Sequence, residues 1–303
     1  MTEYDMPWKE VLDVYLQDFL ELCLPDIHQG IDWSAPVENH EQELPKLFPD
    51  SLTAGRVVDK LFRAKFKAND LPTWFLIHTE VQVNRQVDFP KRMFTCYYRV
   101  VDRFREPVVC IAILGDTSKS WRPLSWEFEL FGCGIEFRYP VVKLLDFTPE
   151  IEALQSSMNP FATVIAAHLR AQASSANPSD RYRFKVELVR SLYEKQWTSQ
   201  RVRQLFRFID WVMELPAPLV IQFRDTLKSI ETEKNMPYVT SIEQLAKDEG
   251  KIEGKIEGMI MGRIQMLQEV LGLPVMATSQ LESMTGEQLS ALYEELRKRL
   301  EKN

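Results

Sequence analysis

The residues of this 303-residue chain that can do chemistry stand in two neighbouring β-rich runs. Asp59 interrupts the apolar residues Val57, Val58, Leu61 and Phe62. Twenty-one positions later, Glu80, Val81 and Gln82 close a run that begins at Trp74. A strand repeats every two residues, so His78, Glu80 and Gln82 share one face and Ile77, Thr79, Val81 and Val83 the other. The short polar break at residues 67–70 predicts a hairpin. In that hairpin Asp59 and Glu80 sit on adjacent strands, with facing Cβ atoms about 4.5–5.5 Å apart. Two carboxylates this close repel unless a cation lies between them. Oxygen ligands that leave positions open to water suit Mg²⁺ or Mn²⁺.

Such an ion can polarise a phosphodiester oxygen and lower the pKa of a bound water. Gln82 cannot act as a base near neutral pH, but its amide can hold a water. Lys91 and Arg92, at the start of the next predicted helix, stand within reach of a scissile phosphate. His78 shares the face of Glu80 and is expected to be a hydrogen-bonded neighbour rather than a ligand. Lys60 follows Asp59 directly and belongs to the opposite face. Trp74, Trp121, Trp126 and Trp211 read as core residues.

Elements must hold these positions. Residues 8–24 show the helical spacing of Val11, Leu12, Tyr15, Leu16, Phe19, Leu20 and Cys23, and Pro25 ends the pattern. Residues 32–50 read as a polar connection. Residues 87–104 return to helical spacing. Residues 108–114 form a continuous β-branched apolar run, as expected for a strand buried on both faces. Residues 125–130 and 134–139 read as a strand pair around Gly132, Cys133 and Gly134, and residues 141–147 as a further strand. Four amphipathic helices follow, at 161–173, 181–196, 199–214 and 218–233. The last part carries a repeat, Lys-Ile-Glu-Gly at 251–254 and again at 255–258. On a helix its glycines (Gly250, Gly254, Gly258, Gly262) make a stripe that permits close approach of a second copy. Each interior glycine costs about 1 kcal/mol, which also fits a solvated hinge. Residues 278–303 read as a small helical hairpin.

Composition sets the class. With 45% hydrophobic and 27% charged residues, the chain is an ordinary globular one. No apolar run approaches the roughly eighteen residues that a membrane span needs, and the acidic N-terminus lacks a signal-peptide core. The four cysteines show no metal-binding spacing and fit free thiols in a reducing cytoplasm. The net charge of −7 hides an uneven distribution: residues 1–55 carry 12 acids against 2 bases, whereas residues 56–105 carry 11 bases against 5 acids. The basic excess therefore falls on the Asp59–Glu80 segment, where a phosphate backbone would lie.

Asp59 followed by Glu80-Val81-Gln82 resembles the D…(D/E)-x-K signature of the PD-(D/E)XK nuclease superfamily, with glutamine in the place of lysine. The words WKEVL, VDKL, IHTEVQ, FPKRMFTCYYR, PVVCIAILGD, PVVKLLD, LFRFIDW and MPYVTSIEQ, in that order, resemble the recombination-promoting nuclease (Rpn)/putative transposase family over nearly the whole chain. The resemblance implies an α/β fold with a restriction-endonuclease-like αβββαβ core at residues 1–158. A helical region packed on it (159–235) and a C-terminal extension holding the glycine repeat and a helical module (236–303) would follow. It implies a cytoplasmic, Mg²⁺-dependent (or Mn²⁺-dependent) DNA endonuclease of low sequence specificity, linked to recombination or mobile DNA. Asp59, Glu80 and the Val81 carbonyl would ligate the metal. Asp59, Glu80 and Gln82 would be catalytic, and Lys91 and Arg92 would bind phosphate; some members of the superfamily place an extra acid on the first helix, where this chain has Glu10 and Asp13. DNA is the expected partner, with self-association through the repeat helix; no membrane partner is expected. The alternative is a catalytically silent nuclease-fold protein that binds DNA or protein.

Overall fold

The computed structural model describes residues 6–47, 58–67 and 74–239. In the C-terminal part it describes 261–262, 264–268, 271, 273–277, 280–281, 284 and 286–300. The side chains of Val58 and Asp59 lie outside this description. The chain divides into two compact units, Met1–Met236 and Pro237–Asn303.

The first unit is mixed α/β. Helix α1 (Met6–Cys23) turns Trp8, Leu12, Tyr15, Phe19 and Leu20 into the interior, as its helical spacing predicts. Helix α2 (Pro25–Gly30) starts at the proline. The polar connection holds a two-residue strand β1 (Glu38–Asn39), a 3₁₀ turn (Glu41–Glu43) and the short α3 (Leu44–Leu47). Strands β2 (Val58–Lys65) and β3 (Trp74–Gln82) then pair antiparallel. Helix α4 (Phe89–Phe104) begins two residues later than its apolar pattern, with Pro90 in its first turn, where a missing N–H costs nothing. It crosses to β4 (Val108–Leu114), which lies parallel to β3.

Strands β5 (Ser125–Leu130) and β6 (Cys133–Arg138) pair only with each other, and β7 (Val141–Lys143) returns to the main sheet parallel to β4. The five-stranded mixed sheet has the order β1-β2-β3-β4-β7. Two sequence expectations need correction here. The β5–β6 turn is Phe131-Gly132, not the Gly132-Cys133-Gly134 stretch, because Leu130 pairs directly with Cys133. Both turn residues have positive φ (51° and 81°), the geometry that a two-residue type I′ hairpin requires. The expected strand at 141–147 stops at Lys143, and a 3₁₀ segment (Leu144–Glu150) follows. Its partner β4 ends at Leu114, which pairs with Lys143, so no ladder remains beyond that point.

The rest of the first unit is helical: α5 (Ile151–Ser156), α6 (Pro160–Ala173), α7 (Pro178–Glu194), α8 (Ser199–Val212) and α9 (Ala217–Lys234). Asn159, Asn177 and Thr198 cap the N-termini of α6, α7 and α8 with their side-chain oxygens. Helix α6 is buried along nearly its whole length and contacts α1, α7 and α8. One face of the sheet is covered by α4, through Phe89, Met93, Cys96 and Val100. The second unit contains α10 (Gly286–Leu300) and a small core of Ile264, Leu267, Leu281, Leu289 and Leu296. The glycine repeat lies outside the described residues, apart from Met261 and Gly262. No helix among the described residues is long and apolar enough to cross a membrane.

Candidate active site

Strand β3 is buried on both faces, so its polar side chains lie inside the protein, where an unpaired polar group is costly. His78, Thr79, Glu80 and Gln82 are all buried, and Glu80 is only 1% exposed. The hairpin register pairs Asp59 with Glu80 and Leu61 with His78. Directly opposed positions of an antiparallel pair share a face, so the two acidic positions lie on the same side of the sheet. On the β4 side Glu80 neighbours Ala112. Val81 sits in the ladder between Val58 and Ile113.

Helix α4 covers this face, and its first turn supplies the partner of Glu80. Arg92 Nε donates to Glu80 Oε1 at 3.0 Å, and Arg92 Nη2 reaches the same oxygen. Arg92 Nη2 also donates to Gln82 Oε1 at 2.8 Å, and Arg92 Nη1 donates to Gln86 Oε1. The amide nitrogen of Gln82 donates to the Asn84 carbonyl. One guanidinium thus joins the buried carboxylate to two glutamines. Lys91, the neighbouring expected phosphate ligand, is exposed. His78 lies 3.3 Å from Cys96 Sγ on α4 and is a hydrogen-bonded neighbour, as expected.

The first helix does not reach this face. Lys60, across the sheet from Asp59, is buried and bonds Asp13 and Glu41, while Lys9 also bonds Glu41 at 2.7 Å. Asp13 is therefore taken by the opposite face, and Glu10 is exposed.

Three features around the site were not read from sequence. Tyr139, just before β7, is buried against Phe89 and Phe137, and its hydroxyl makes no hydrogen bond among the described residues. Burial first, and the Glu80 carboxylate second, push its phenol well above the ordinary range, so it stays protonated. At the C-terminal ends of β4 and β7, Lys143 bonds Asp116; both side chains are almost wholly buried. Beside them, Nε2 of the buried His168 lies 2.8 Å from the Gly115 carbonyl oxygen. A Cβ at Gly115 would come within 2.9 Å of the His168 ring, so only glycine fits.

A signal existed for Arg92. It falls three residues after Phe89 and four before Cys96, on the stripe of α4 that turns to the sheet. Tyr139, Asp116 and Lys143 carry no such signal, because strand crossovers bring them together.

Fold and register together define a mixed α/β protein with two acidic positions paired on adjacent central strands beneath a crossover helix. No family model, no curated protein and no solved structure matches the chain.

Two expected outcomes follow from this geometry. Burial holds the His168 ring below the ordinary histidine range, against the opposing pull of the Gly115 carbonyl and the Asp116 carboxylate. The unfolded chain therefore takes up this proton first, near pH 6.5. Stability is fully present above that pH. It is lost on acidification down to the folded-state value, by up to about 1.4 kcal/mol per pH unit. Thermal melts from pH 7.5 to 5 are expected to show this decline, and His168→Gln to flatten it; equal slopes would rule out His168 as the source. The second outcome concerns Arg92. Its removal takes the guanidinium away from the buried Glu80 carboxylate. Arg92→Met is expected to lower stability by about 3 kcal/mol, and a greater part of that loss should be restored by millimolar Mn²⁺ than any Mn²⁺ effect on the unmodified chain. An equal Mn²⁺ effect on both chains would mean that no cation can take the place of the guanidinium.

Proposed function

We propose that this protein is a Mg²⁺- or Mn²⁺-dependent DNA endonuclease of the PD-(D/E)XK type, with its site at Asp59, Glu80, Val81 and Gln82. The observation that carries this reading is the register, in which Asp59 and Glu80 are direct partners on adjacent strands. Between α1 and β4 the strands run as an antiparallel meander, β1-β2-β3, followed by a parallel crossover through α4, with the short α2 and α3 flanking β1; this supports a restriction-endonuclease-like core. The basic excess of residues 56–105 supports a nucleic-acid partner. The ordered family words support a role linked to recombination or mobile DNA.

The residues fit a hard divalent cation. A buried carboxylate needs positive charge, and here a guanidinium supplies it. The Asp59 and Glu80 carboxylates and the Val81 carbonyl would supply an all-oxygen donor set of the kind Mg²⁺ and Mn²⁺ prefer. Among the described residues no group of three or more His, Cys, Asp or Glu stands close enough to hold a metal, so the backbone and water would complete the coordination. When bound, the ion would polarise a phosphate oxygen and acidify a water. Gln82 would orient that water through its amide without taking its proton. Arg92, released from Glu80, would turn to the phosphate with Lys91, a contact suited to its planar fork of donors.

The engagement of Glu80 by Arg92, together with glutamine at position 82, favours one second reading: a catalytically silent nuclease-fold protein that binds DNA or another protein. Incubation with supercoiled plasmid and Mg²⁺ or Mn²⁺ separates the two. Metal-dependent nicking supports the enzyme, whereas retention of DNA without cleavage supports the binding protein.

A further inference from the structure

The β5–β6 hairpin is a two-stranded sheet of its own. Cross-strand pairing sorts its side chains cleanly. Trp126 pairs with Phe137, Phe128 with Ile135 and Leu130 with Cys133, so these six share one face. Glu127 pairs with Glu136 on the reverse face, which also carries Glu129 and Arg138. The base of the apolar face is anchored: Trp126 stacks on Phe94 of α4 at 4.6 Å, and Phe137 packs on Tyr97 at 4.8 Å. The outer half is bare. Phe128 is 48% exposed, Leu130 53%, Ile135 44%, and Phe131 at the tip is fully exposed.

Two physical costs attach to this arm. A lone two-stranded hairpin is marginal in water. Phe131 also adopts positive φ, a conformation that costs a non-glycine residue roughly 1–2 kcal/mol. An exposed apolar face carried on an anchored ribbon is a site prepared for contact.

We propose that this arm is a self-association surface, in which the apolar faces of two copies pack together as a pair of two-stranded ribbons. Charge selects the occupant. Glu127, Glu129 and Glu136 set negative charge along the ribbon, which repels a nucleic-acid backbone or an anionic membrane. The apolar face itself carries no charge, so a copy of it is an acceptable partner under twofold symmetry. Area agrees. With a fully exposed large side chain at roughly 200 Å², the exposed part of Phe128, Leu130, Phe131 and Ile135 comes to about 500 Å² per copy. Two copies reach about 1,000 Å², the least that a specific interface needs. This surface is independent of the nuclease reading.

Cys133 is exposed on the apolar face and reports on it, whereas the burial of Cys23 pushes that thiol up to about 12. The test is sedimentation of the full chain from low to high micromolar concentration, together with maleimide alkylation of Cys133 followed by peptide mass. Unmodified protein is expected to reach twice the chain mass and to slow alkylation of Cys133 as it does so. Phe128→Asp should halve the mass and remove the protection, while Glu129→Ser on the reverse face should do neither. A monomer at 100 µM or so, a dimer that persists in the Phe128→Asp chain, or a dimer that leaves Cys133 as reactive as in the monomer would each overturn the proposal. So would a monomer whose arm instead binds uncharged phosphatidylcholine vesicles. Should Phe128→Asp fail to fold, the Cys133 protection of the unmodified chain decides the question alone.

Discussion

Glu80→Gln, a neutral replacement of equal size, is expected to abolish Mg²⁺-dependent nicking of supercoiled plasmid, with a loss of more than about 100-fold. Loss of an outer-shell partner alone typically costs 10–100-fold, and Glu80 would be a direct ligand. Asp59→Asn should behave the same way if the proposed cation lies between these two partnered positions. Gln82→Ala is expected to lose less, on the order of tenfold, since it removes one water contact and leaves the ligands in place. The fold should survive in both neutral variants: Glu80→Gln keeps a hydrogen-bond acceptor for Arg92, so the melting temperature reports whether the core is intact. Retention of nicking by either Glu80→Gln or Asp59→Asn would remove the metal site from the argument. Absence of nicking in the unmodified chain, with DNA still retained, would move the protein to the silent binding class.

The largest expected effect on stability lies a few residues away. Lys143 and Asp116 are both buried and bond each other, with the Ser118 N–H donating to the second carboxylate oxygen at 2.8 Å. Lys143→Met leaves that carboxylate in the interior without its cation, a change that typically costs about 3–5 kcal/mol. For a unit of this size the cost corresponds to a fall of roughly 10 °C in melting temperature. The double replacement Asp116→Leu/Lys143→Met removes both charges and is expected to recover much of the loss, because a buried ion pair contributes little beyond a well-packed apolar pair. A double-mutant cycle in urea measures the coupling. A single replacement that costs under about 1 kcal/mol, within the ordinary range for a surface position, would mean that water reaches the pair.

The two pairs share a logic. Glu80 sits in a central strand, and Asp116 and Lys143 at strand ends beneath the 3₁₀ segment. Each position is too deep for a free charge, so each carries its counter-ion within the fold. They differ in what surrounds them. Glu80 has an acidic position opposite it and a small alanine beside it, and its cation is a side chain from a helix start. Asp116 is met by a lysine from the neighbouring strand end and by a backbone N–H, and no second acid pairs with it. Both hold a side-chain cation, and the second joins the ends of β4 and β7.

Much of this protein was legible in the chain alone, for local reasons. The period-two alternation of residues 74–82 and the apolar run of 108–114 located β3 and β4, because strands show their buried faces directly in sequence. Helical spacing and prolines located α1, α4 and α6 to α9 to within a few residues. The Asp59–Glu80 candidate pair was readable because the two runs are neighbours along the chain and each sets an acid among apolar residues. What the tertiary structure alone decided were the partners. Only the packing of α4 on the sheet brought Arg92 onto Glu80 as its counter-charge. Only the β4–β7 pairing ended a predicted strand at Lys143 and set that lysine on Asp116. Only the isolation of β5 and β6 from the main sheet left an apolar ribbon uncovered. Local sequence sets the backbone period and the burial of each element, but the neighbour of a buried charge comes from a distant segment, and no spacing along the chain records that distance.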